Sequence, residues 1–115
     1  MDLVRQILLA LEQHPNGFAP DDLNIDGYSE EQIGYHAYIM GQAGLVEVAD
    51  TTCLGRPSPE ALIKGMTWEG HEFIEAAREP VRWGQAKEVL HKAGGASFNV
   101  WTAVLADLVK KSLGV

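Results

Sequence analysis

The chain has 115 residues, 46% of them apolar and 22% charged, with a formal net charge of −7 and one cysteine, Cys53. That balance belongs to a folded chain of about one domain and excludes a disordered or collagen-like polymer. A lone cysteine excludes an internal disulfide, and there is no run of about eighteen apolar residues to span a membrane.

"MDLVRQILLALEQHP" opens without a basic leader or a small-residue cleavage site, so it reads as a helix and not a signal peptide, and a cytoplasmic location is expected. Leu3, Ile7 and Leu11, with Val4 and Leu8 beside them, give an apolar stripe for a helix over about residues 2–14. "HPNGFAP" stops it, because Pro15 and Pro20 lack an amide donor and Asn16-Gly17 favours a turn. "PDDLNIDGY" is too short for a full helix; Leu23 and Ile25 can anchor one turn or a short strand.

Ser29 to Gln32 reads S-x-x-Q, a capping box at the start of a helix whose inward face is Ile33, Ala37 and Met40. Gly44 closes that helix, and "LVEVAD" alternates as a strand. A loop rich in Gly, Pro and Ser, "TTCLGRPSPE", joins it to a second strand, "ALIKGMT", so the pair forms a hairpin with Arg56 near its tip. Thr67 caps "WEGHEFIEAAR", in which Trp68, Phe73, Ile74 and Ala77 are expected to face inward. After Pro80 comes a helix with Trp83, Ala86 and Leu90 on one face. Gly94-Gly95 breaks the chain, and Ser97 caps a last helix carrying the stripe Phe98, Trp101, Leu105, Leu108 and Ser112.

The order helix, short element, helix, strand, strand, helix, helix, helix predicts an α+β, mostly α fold: a winged helix-turn-helix over residues 1–79 with two additional C-terminal helices over 80–115. Those two helices either pack on the winged part or form a homodimer interface. The Phe98 to Leu113 stripe is too short to separate a dimer seam from a core face.

"YHAYIMGQAGLVEV" resembles the recognition-helix segment of winged-helix bacterial regulators of the multidrug-resistance and phenolic-acid repressor types, and "MTWEGHEFIEAAR" resembles the segment after their wing. Together with "MDLVRQILLALEQHP" and "GGASFNVWTAVLADLVKKSLG", these stretches resemble an uncharacterised bacterial and prophage family of unknown function, akin to the YjcQ-like proteins. The resemblance covers essentially the whole chain. It implies the fold and a bacterial or phage setting, and it brings no catalytic residue or ligand with it.

Charge qualifies that expectation. From Met1 to Glu60 two basic residues, Arg5 and Arg56, stand against ten acidic ones, leaving −8; Ala61 to Val115 carries +1. On a DNA-binding reading, which is the first expectation, the helix from Ser29 enters the major groove. Gln32, Tyr35, His36 and Tyr38 are then the candidate contacts, with Arg56 on the wing and Lys64 on a phosphate. DNA affinity rests largely on Lys and Arg, however, and Glu30 and Glu31 oppose it. The alternative is an acidic protein-interaction module, phage- or host-linked, that uses the same surface and its tyrosines to bind a protein.

Catalysis is not expected. His14, His36, His71 and His91 are scattered without metal-ligand spacing, Cys53 lacks an adjacent base, and "AGGAS" lacks the spacing of a phosphate loop, so no metal or cofactor is anticipated. Trp68, Trp83 and Trp101 are expected at inward positions of three successive helices. They serve either as core or as the lining of a ligand pocket.

Overall fold

The computed structural model describes residues 1–13, 24–52, 55, 58–94 and 97–113. The turn "HPNGFAP", the loop cysteine Cys53 and the expected wing contact Arg56 lie outside the described residues. The elements run α1 (Asp2–Glu12), α2 (Glu30–Gln42), β1 (Val46–Asp50), β2 (Ala61–Met66), α3 (Trp68–Ala77), α4 (Pro80–Lys92) and α5 (Phe98–Ser112). The fold is therefore α+β and mostly helical, with the two strands forming an antiparallel pair. The chain divides into two compact units, Met1–Glu72 and Phe73–Val115, with the boundary inside α3.

In the first unit, α1 buries Leu3, Val4, Ile7, Leu8 and Leu11, the stripe its spacing predicts. Full burial of such side chains is worth about 1.5–3 kcal/mol each relative to exposure. Helix α2 starts where Ser29 and Gln32 exchange bonds: the Gln32 amide donates to Ser29 Oγ at 3.2 Å and the Ser29 amide to Gln32 Oε1 at 2.8 Å. It buries Ile33, Ala37 and Met40. It ends in a Schellman motif, with Gly44 at φ 81°, Leu45 N–H donating to Met40 O at 3.0 Å and Gly44 N–H to Gly41 O at 3.2 Å. Leu45 and Met40, the apolar pair that accompanies this motif, are both buried.

The hairpin pairs Val46 with Met66, Glu47 with Gly65 and Val48 with Ile63, so Lys64 is an extra residue on β2 and forms a bulge. At the loop end Thr51 N–H donates to Glu60 O at 3.0 Å, and the Thr52 hydroxyl bridges the Glu60 backbone. Thr67 then ties the end of β2 to the α2–β1 junction. Its amide donates to Leu45 O at 3.1 Å and its hydroxyl to Gly44 O at 2.5 Å, while Thr67 Oγ1 accepts from Gly70 N–H at 3.1 Å and caps α3.

In the second unit, α4 begins at Pro80 with Glu79 as its cap, accepting from the amides of Val81 at 2.9 Å and Arg82 at 2.8 Å. Ser97 caps α5. The core is aromatic: Trp83 and Trp101 lie 4.7 Å apart with rings tilted by 30°, and Phe73 meets Phe98 at 5.2 Å and Trp83 edge-on at 6.5 Å. The buried part of the α5 stripe is Trp101 and Leu105; Ser112 is exposed, and its hydroxyl donates to Val109 O.

One expectation is overturned here. Trp83 and Trp101 are buried, but Trp68 is 74% exposed. Gly70, Phe73, Ile74 and Ala77 supply the inward face of α3. Trp68 precedes Gly70 by two residues, which is about 200° round a helix, so the two point to opposite sides.

Candidate functional site

Helix α2 carries four of the residues singled out from the sequence. Gln32 is exposed, but its Oε1 is engaged in the capping box, which leaves the amide NH2 to reach a partner. His36 is half-buried, with Nδ1 2.9 Å from the Gln32 carbonyl oxygen. Its ring meets that of Tyr35 edge-on at 6.0 Å. Tyr35 is 40% exposed, and Tyr38, at the next turn, is half-buried. Tyr35 is therefore the aromatic side chain that α2 shows most openly to solvent.

The hairpin's return segment runs beside the first turns of this helix. Ser58 Oγ donates to Glu31 Oε1 at 3.4 Å. A Cβ placed on Gly34 would lie 3.4 Å from Glu60 Cγ, so the Glu60 side chain lies against this position of the helix. Gly41, two turns later, faces Val48 of β1, where a Cβ would come within 2.6 Å of Cγ2. The absence of a side chain at 41 is what lets β1 lie this close to the helix, whereas at 34 a Cβ would make an ordinary contact with the Glu60 side chain. The close approach at 41 depends on a residue with no side-chain signal, which is why the string of residues did not reveal it.

The surface so built is acidic. Glu30, Glu31, Glu47 and Asp50 are exposed, and α2 has no Lys or Arg. Asp50 is held below the usual carboxylate range by the Thr52 hydroxyl and by the Thr52 amide, which donates at 2.9 Å. Lys64 is exposed on the bulge of β2, beside the position paired with Glu47. Arg56, its expected companion, is outside the described residues.

No group of three His, Cys, Asp or Glu side chains among the described residues is placed to hold a metal ion. No helix among them is long and apolar enough to cross a membrane. Trp68 is the exposed aromatic that the sequence reading missed. Placing Gly70 on the inward face of α3 would have revealed it, because a buried glycine leaves no apolar letter in a periodicity count.

No solved structure matches the chain. An "Uncharacterized protein" of Haemophilus influenzae is 33% identical over 92 residues, covering 77% of this chain and 75% of that protein. Residues 1–96 match the family described as "Hypothetical protein (DUF2513)", which takes in both strands and the first four helices. The chain belongs to the DUF2513 family.

Proposed function

We propose that the first unit is a non-catalytic recognition module of winged-helix type whose α2 and hairpin engage a basic protein partner. The observation that carries this reading is the charge of the surface: Glu30 and Glu31 stand at the exposed start of α2, Glu60 lies against Gly34, and α2 itself contributes no cation. An acidic face steers association with basic surfaces and repels a polyanion. Tyr35 supplies an exposed aromatic of the type enriched at interfaces.

Duplex DNA, with the protein acting as a bacterial or prophage transcription regulator, is the second reading. It is favoured by the passage from a capped helix through a Schellman turn into a two-stranded hairpin, the succession of a recognition helix and its wing. On that reading Gln32, Tyr35, His36 and Tyr38 contact bases or phosphates, Arg56 a minor groove or phosphate, and Lys64 a phosphate.

One experiment separates the two. A photo-crosslinking residue at position 35, in cells that express the chain, is expected to give adducts with a basic protein that Glu31→Lys abolishes. If no protein adduct forms and the purified chain retains a mixed-sequence duplex at low salt, with a steep fall at moderate salt, the partner is DNA.

A further inference from the structure

Trp68 takes no part in the core. It is 74% exposed at the first position of α3, on the side opposite Gly70, Phe73, Ile74 and Ala77. Its indole N–H donates to Glu72 Oε1 at 2.7 Å, one helical turn further on. This bond satisfies the indole's only donor and holds the ring in one orientation, and it places a carboxylate at the ring edge. Glu69 adds a second exposed acid in the first turn, and the last turn of α3 has no basic residue. An exposed, hydrogen-bonded indole with the Glu72 carboxylate at its edge matches a planar cation: the ring face attracts it through the quadrupole, and the carboxylate accepts its N–H groups.

The geometry points to Trp68 and Glu72 as a contact for an arginine side chain of a basic polypeptide partner. The choice of ligand rests on the reading that the first unit faces a basic partner; the residues that make the contact belong to α3 and not to α2. Little ordering is needed when the guanidinium arrives, because the indole is already fixed by Glu72. Tryptophan and arginine are also the residues most enriched among the energetic centres of interfaces.

The test uses the full chain and hexa-arginine amide as the probe, followed by the three tryptophan indole N–H signals in nitrogen-15 spectra. The Trp68 signal is identified by its loss in Trp68→Ala. It is expected to shift saturably, while those of buried Trp83 and Trp101 stay in place. Trp68→Ala, which leaves the net charge unchanged, should weaken binding about two- to fivefold, the range of an exposed cation–π contact. Glu72→Gln, which keeps an acceptor for the indole but removes the charge, should weaken it as well.

Peptide binding that shifts α2 amides, leaves the Trp68 indole unmoved and is unaffected by Trp68→Ala overturns this inference and leaves the α2 reading standing. A shift at Trp68 with none on α2 supports the inference and removes the α2 surface. Absence of any binding overturns both. So does a Trp68 shift produced by duplex DNA and not by the peptide.

Discussion

At Gly70 the chain has no room for a side chain. A Cβ there would strike the Leu45 carbonyl oxygen and lie 2.7 Å from Met66 Cγ, so α3 approaches the α2–β1 junction at backbone distance. Gly70→Ala is therefore expected to destabilise the protein by about 1–3 kcal/mol, since the obstructing atom belongs to the main chain and cannot rotate away. Gly41 makes a milder case. The nearest atom to its added Cβ is Val48 Cγ2 at 2.6 Å, a methyl of a β-branched side chain that must shift, while alanine gains about 1 kcal/mol over glycine within a helix. Gly41→Ala should then cost less than Gly70→Ala. Urea unfolding of the two variants checks the order; a larger loss at 41 than at 70 would contradict the backbone approach.

At the scale of elements, the helix starts are local constructions with pH consequences. The Glu79 carboxylate is held below its ordinary value by the amides of Val81 and Arg82, with the Arg82 charge adding a little. A folded value below the unfolded one means that the stabilisation is fully present above the ordinary glutamate value near 4.5 and is lost as the pH falls through the folded value. Glu79→Gln, which cannot ionise, should lower the melting temperature at neutral pH. The gap from the parent should close on the acid side, and a gap independent of pH would show that the charge at this cap is immaterial. The caps at Ser29, Thr67 and Ser97 were legible in the sequence because each is a bond between residues three apart: Ser29 with Gln32, Thr67 with Gly70, Ser97 with Val100. The bulge at Lys64 was not, since it is a relation between two strands separated by a loop.

Across the whole molecule, charge is divided between the units. Residues 1–72 hold three basic and twelve acidic side chains, whereas residues 73–115 hold six basic and four acidic. The net charge of −7 at neutral pH favours solubility. Solubility should accordingly pass through a minimum near the sequence pI of about 4.9 and recover on either side, as turbidity against pH would show. A minimum displaced by more than about one unit would mean that the charges in the folded chain are not those of the free side chains.

The order and type of the seven elements were determined by the sequence alone, whereas the short element expected around Leu23 and Ile25 has no counterpart among the described residues. Apolar residues at helical spacing, alternation in the strands and residues that cap or break helices act over a few positions, and the α1, α2, α4 and α5 cores follow from them. Only the tertiary structure decided that Trp68 stands outside, that Glu60 lies over Gly34, and that Trp83 stacks on Trp101. Those outcomes depend on which faces meet between segments far apart in the chain. At α3 the deciding residue is Gly70, whose missing side chain sets the close approach and leaves no trace in a hydrophobic pattern.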